Sequence, residues 1–249
     1  MKYIKKFESV ESVETELDYS FSGLSELPEL YEGLEHLVCK DNNLTYLPKL
    51  PSTLLNLNFS NNKFEIFPEL PKNLRILYSG NNKLMDLPEL PIRLEYLDCF
   101  KNNISELPKL PDTLLELYCS NNKLNELPEL PGKLEYLYCN KNHLIEIPKL
   151  PNTIESLDCS YNNLTNLPHL PDKLEELYCS YNLLNEILFI PKSLRYLSCS
   201  NNNLKELPEL PDTLITLNCS DNNLPYDNLD EYKKWFSKTP QGMSKKFNI

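Results

Sequence analysis

Glycine is scarce in this chain, with five residues in 249, and histidine is scarcer still, with three. So few glycines leave no loop of the kind that cradles phosphate through bare backbone. No run of about 18 apolar residues occurs, so nothing is expected to span a membrane as a helix. The first residues, MKYIKKFESVESVETE, hold lysines with no apolar stretch behind them and do not read as a secretory signal. Positive charge is short as well: 25 Lys and Arg face 36 Asp and Glu, for a net charge of −11 and an isoelectric point near 4.9. That balance argues against nucleic acid or an anionic membrane surface as partner, because both need clustered cations. It favours solubility and a basic partner.

What the chain has in abundance is repetition. PDTLLELYCSNNKLNELPEL (111–130) returns as PGKLEYLYCNKNHLIEIPKL (131–150) and as PDTLITLNCSDNNLPYDNLD (211–230). The step is 20 residues, without insertion from Tyr31 to Asp230. With Pro111 as position 1, leucine or a relative falls at positions 4, 7, 14, 17 and 20. Cysteine is usual at 9, asparagine invariant at 12, and proline common at 18 and 1. A period of this length means a solenoid, one object whose core grows by stacking.

Within each unit, positions 7 and 9 point one way and positions 6, 8 and 10 the other, the alternation of a short strand. Stacked units place these strands in one parallel sheet. The asparagines from Asn42 to Asn222 recur beside leucines in every full unit, which requires a structural cause: an amide can serve turning backbone in its own and neighbouring coils. In the second half of the unit, L-P-x-L-P, each proline fixes its φ and disfavours helix at the residue before it. The outer wall is therefore expected to run extended or as polyproline II.

All eight cysteines (Cys39, Cys99, Cys119, Cys139, Cys159, Cys179, Cys199 and Cys219) occupy position 9. Phe59 and Ser79 fill that slot in consecutive units, one large and one small. A disulfide or metal site would not survive such exchanges, whereas a buried packing slot does. Eight reduced thiols imply a reducing compartment such as cytoplasm.

The chain divides into an amino-terminal cap (1–16, with Tyr3, Ile4 and Phe7), a solenoid of about eleven units (17–230), a capping helix (227–240) and a mobile tail (241–249). Leu17, Tyr19, Leu24, Leu27, Pro28 and Leu30 mark a degenerate first unit. DNLDEYKKWFSK (227–238) reads as an amphipathic helix. Asn228 and Glu231 form a capping box, and Leu229, Tyr232, Trp235 and Phe236 share one face. Leu183, Leu188 and Phe189 depart from the usual residues and make a secondary apolar patch, read as drift in the outer wall or as a contact site.

The unit pattern L-x-x-L-x-C-x-x-N-x-L-x-x-L-P-x-L-P is that of a leucine-rich repeat. Its short period and paired prolines resemble the bacterial secreted-effector (YopM-like) subclass, and similar cysteine-bearing repeats occur in giant viruses. The resemblance implies a horseshoe with a parallel β-sheet on its concave face, little helix outside the caps, protein binding on that face and a host–pathogen setting. Some bacterial relatives carry a ubiquitin-ligase domain with a catalytic cysteine. No cysteine follows Cys219, so that activity is not carried over to this chain. The long helical amino-terminal segment of those effectors has no counterpart here.

Catalysis is not expected. His36, His143 and His169 occupy three different positions, so stacking cannot bring two together as ligands, and the thiols point inward. No cofactor or metal site is expected. The informative side chains are those facing out of the sheet: Tyr78, Tyr96, Asp98, Phe100, Glu116, Tyr118, Tyr136, Tyr138, Asp158, Tyr178 and Tyr196, with Tyr161 and Tyr181 beside them. Seven of the 15 tyrosines lie on this strip, interleaved with carboxylates. Tyrosine is also simply a good strand residue. Its continuous run through the middle, fading at both ends, favours an interface, since it offers contact area at low entropy cost. The expected protein is a monomer that binds a basic protein partner through this face. The alternatives are a self-associating structural protein and an adaptor to ubiquitin machinery without its own catalytic domain.

Overall fold

The computed structural model describes residues 14–239. The expected cap residues Tyr3, Ile4 and Phe7 and the tail 241–249 lie outside them. Eleven three-residue strands form one parallel sheet in strict sequence order. They are β1 (Glu16–Asp18), β2 (His36–Val38), β3 (Asn56–Asn58), β4 (Ile76–Tyr78), β5 (Tyr96–Asp98), β6 (Glu116–Tyr118), β7 (Tyr136–Tyr138), β8 (Ser156–Asp158), β9 (Glu176–Tyr178), β10 (Tyr196–Ser198) and β11 (Thr216–Asn218). Each residue pairs with the one twenty positions on, as Leu117 does with Leu97 and Leu137. The strands are short because only positions 6 to 8 run straight, yet the ladder continues past them. Cys119 N donates to Tyr138 O at 2.8 Å, and Asn121 N to Asn140 O at 2.8 Å.

Position 7 faces the interior and positions 6 and 8 face outward, so the central strands read half-buried, buried, half-buried, except β8, where Ser156 is buried as well. The core is one continuous cluster, built mainly from leucines at positions 4, 7 and 14 and the cysteines at position 9. Burying a leucine side chain stabilises by roughly 1.5–3 kcal/mol. The slot at position 9 adapts as the sequence suggested. Phe59 packs on Phe64 at 4.7 Å and Phe67 at 5.5 Å, within its own coil. Ser79 instead turns its hydroxyl to donate to Asp98 O at 3.0 Å. The eight thiols are free and buried, and desolvation pushes those of Cys39 and Cys119 up to about 12.

The asparagine at position 12 locks neighbouring coils together. Asn122 Nδ2 donates to Cys119 O in its own coil (3.1 Å) and to Cys99 O in the preceding one (2.9 Å). Its Oδ1 accepts from Ile104 N at 3.0 Å. The same pattern recurs at Asn142, Asn162, Asn182 and Asn202. The turning backbone that no strand serves is thus satisfied from a side chain.

Two further devices were not anticipated. Position 11 sits in the left-handed region in every unit, from Asp41 (φ 58°) to Asp221 (φ 55°). Asn or Asp tolerates that conformation and fills six of the ten full units, but Lys101, Lys141, Tyr161 and Tyr181 adopt it too. A hydroxyl at position 3 forms a second ladder: Thr113 Oγ1 donates to Leu94 O at 2.7 Å, and Ser193 Oγ to Leu174 O at 2.6 Å.

No helix interrupts the outer wall, and the one helix among the described residues is α1 (Leu229–Phe236) at the carboxy-terminal end. Asn228 caps it by accepting from Glu231 N at 3.1 Å. The Glu231 carboxylate reaches back to Asp227 N (2.9 Å), one residue earlier than in a standard capping box. Tyr232 is buried with Tyr226 at a ring distance of 5.1 Å, and its hydroxyl accepts from Leu210 N. The helix therefore seals the last coil, leaving Trp235 40% exposed.

Candidate interaction surface

The outward side chains of β4 to β7 are brought into one aromatic row. Tyr78 meets Tyr96 at 4.7 Å, Tyr96 meets Tyr118 at 5.2 Å, and Tyr118 stacks on Tyr138 at 4.9 Å with planes 7° apart. The first two contacts cross diagonally between positions 8 and 6, because neighbouring strands offset the rings along the sheet. All four rings are half-buried by one another. Desolvation and the nearby carboxylates push the Tyr96 hydroxyl upward, and desolvation followed by its bond to Glu116 does the same for Tyr118. Tyr118 Oη donates to Glu116 Oε2 at 2.9 Å.

The row stops at Ser156, a buried serine where a fifth aromatic would stand. Tyr138 Oη lies 3.1 Å from Ser156 Oγ, which donates to Glu176 Oε2 at 3.2 Å. Tyr178 and Tyr196 follow on β9 and β10 without a ring contact to that row among the described residues. Tyr136 leans away from it, to Glu155 at 3.2 Å, whose charge is the main cause of its raised phenol. Phe100 stands outside the row at position 10, 42% exposed.

Asp98 and Asp158 lie within the strip with their carboxyls raised by burial. Their backbone partners, Phe100 N at 2.8 Å and Ser160 N at 3.0 Å, offset part of that cost. Asp98 also explains Gly80: a Cβ there would meet Asp98 Oδ1 and Phe100 O at 3.2 Å. Among the described residues, Asp98, Glu116, Asp158 and Glu176 form no ion pair with Lys or Arg, whereas Arg75–Glu95 (3.5 Å) and Arg195–Glu175 (3.8 Å) pair beside the strands.

Tyr161 and Tyr181 form a separate stack at the left-handed corner, 4.2 Å apart, with Lys141 Nζ 5.5 Å from the Tyr161 ring. Sequence spacing placed them beside the strip but could not show that they pair only with each other. On the outer wall, His169 and Phe189 stack at 5.9 Å, and Leu188 is 81% exposed. A groove of about 820 Å³ crosses the early coils there, lined by Tyr46, Ile66, Phe67 and the prolines Pro48 and Pro68. No group of three or more potential metal ligands occurs among the described residues.

This geometry is that of a leucine-rich-repeat solenoid, a fold that typically serves as a protein–protein interaction scaffold. The leucine-rich repeat profile matches residues 193–214. The solved structure of YopM, a leucine-rich effector protein from Yersinia pestis, is similar, with 40% identity and a TM-score of 0.81 over 84% of this chain. YopM from Yersinia enterocolitica shows 35% identity and a TM-score of 0.56 over 85%. The functional domain of InlJ from Listeria monocytogenes, which includes a cysteine ladder, shows 30% identity and a TM-score of 0.61 over 74%. The chain spans 61%, 56% and 43% of those three chains, less than two thirds of each. No curated protein matches it significantly. The chain is a YopM-like leucine-rich repeat protein.

Proposed function

We propose that the protein is a non-enzymatic binding module that holds a protein partner on its concave face, acts in a reducing compartment, and does so in a host–pathogen setting. The observation that carries the reading is the unbroken row Tyr78–Tyr96–Tyr118–Tyr138, whose rings lie 4.7–5.2 Å apart on the parallel sheet. A preorganised aromatic row offers area without an ordering cost, the usual character of an interface hot spot. Asp98, Glu116, Asp158 and Glu176 supply negative charge for basic residues of that partner. The host–pathogen element rests on the likeness to the YopM effector protein.

The test is capture. Tagged wild-type protein and the Tyr118→Ala/Tyr138→Ala double variant are compared in pull-downs, with Leu188→Ala on the outer wall as control. The reading expects the tyrosine variant alone to lose the captured protein. Retention by that variant removes the concave face from consideration. Light scattering across concentrations addresses self-association, with a monomer expected.

A further inference from the structure

The variable positions of the sheet follow a longer period than the coil itself. At position 8, β4 to β6 present Tyr78, Asp98 and Tyr118, and β7 to β9 present Tyr138, Asp158 and Tyr178. Asp158 follows Asp98 by 60 residues, and Glu176 follows Glu116 by the same 60. In both triplets the central aspartate is in register with a tyrosine on each side. Each aspartate accepts from the backbone N–H two residues on, and burial raises both carboxyls.

We infer that the concave face holds two related subsites, centred on Asp98 and Asp158, that take two arginine side chains from one extended segment of the partner. A guanidinium is planar: its face stacks on a phenol ring while its N–H edge bonds a carboxylate, which suits a carboxylate set between tyrosines. Three strand steps separate the subsites, about 14 Å at roughly 4.8 Å per step. Residues i and i+4 of an extended chain lie about 13 Å apart at roughly 3.3 Å per residue. The copies differ at two points. Ser156 replaces the ring that Tyr96 supplies to the first, and Lys141 acts electrostatically on Asp158 but not on Asp98. The Asp98 subsite is therefore the stronger. This inference rests on the concave-face reading above and adds the partner's chemistry and spacing.

The probes are labelled threonine peptides carrying arginine at the first and fifth positions, at the first only, or lysine at both, titrated at low ionic strength and followed by fluorescence anisotropy. The two-arginine peptide should bind at least about tenfold more tightly than the single-arginine peptide, since the second contact is intramolecular. Asp98→Asn and Asp158→Asn, which keep side-chain shape and the backbone hydrogen bond, should each remove most of that advantage, Asp98→Asn more. Circular dichroism confirms that both variants fold. Equal affinity for one and two arginines, equal affinity for the lysine peptide, or no binding of any peptide overturns the inference. If the Tyr118→Ala/Tyr138→Ala variant still loses its captured partner in that case, the concave-face reading stands alone. Peptide affinity unchanged by the tyrosine substitutions likewise overturns the inference, and retained capture by the same variant removes the concave-face reading as well.

Discussion

The inner and outer walls of this solenoid are built on different principles. On the inner wall, the position 7 leucines and the position 9 residues (eight cysteines, Phe59 and Ser79) are fully buried or nearly so in all ten full units, and both the backbone ladder and the asparagine ladder run there. On the outer wall, prolines fix the path, and the leucines at positions 17 and 20 are less well covered. Leu107 and Leu110 are buried, but Leu47, Leu50, Leu70 and Leu87 are only partly so. That looser end is where the outer groove opens. Hydrogen-bonded register holds the inner wall and restricted backbone freedom the outer, so perturbations of the two walls should differ in size.

The largest expected effect comes from alkaline pH, because every thiol lies on the inner wall. A thiol held near 12 when folded, against about 9 when free, contributes stability that is fully present below pH 9 and lost as pH rises through 12. Each such group weighs about 1.4 kcal/mol per pH unit inside that window. Circular dichroism should show cooperative unfolding between pH 9 and 12, with its midpoint moved to higher pH in a Cys119→Ser/Cys139→Ser variant; an unchanged midpoint would remove those two thiols as contributors.

Next in size, Leu137→Ala should cost about 4 kcal/mol in urea denaturation, at the upper part of the range for core leucines. Leu50→Ala on the outer wall should cost less than half of that. Equal costs would erase the contrast between the walls. Asn142→Leu should cost about 3 kcal/mol, since it strips a donor from Cys119 O and Cys139 O and an acceptor from Leu124 N. Pro128→Ser should cost at most about 1 kcal/mol, acting through the unfolded chain.

The smallest stability change belongs to the face proposed to bind. Tyr118→Ala/Tyr138→Ala should shift the urea midpoint less than Leu137→Ala does while removing partner capture. A larger shift than Leu137→Ala would make the row a structural element of the sheet.

Nearly all of the fold was legible in the sequence, because each side chain that builds the coil recurs every twenty residues and a repeated residue announces a repeated environment. The helix-free wall followed from the φ restriction of proline, and the seal at α1 from Asn228, Glu231 and its aromatic face. Position 11 was missed although its Asn and Asp residues signal left-handed backbone; Lys101, Tyr161 and Tyr181 obscured the pattern. The hydroxyl ladder at position 3 was missed because Asn73, Arg93 and Lys133 interrupt it. For the surface, the twenty-residue register alone places Tyr118 against Tyr138 and diagonal to Tyr96. It could not predict that Tyr136 would turn to Glu155 or that Ser156 would end the row, since those outcomes depend on rotamers and local hydrogen bonds.

The uniform register has a metrological consequence. Every coil advances the sheet by one strand spacing, about 4.8 Å, and makes the same bonds to its neighbours, so the chain is a ruler graduated in units of twenty residues. Excising residues 131–150 would rejoin Leu130 to Pro151 with every ladder type intact. It would also move Asp158 one graduation closer to Asp98, changing the distance between two surface groups without altering either one.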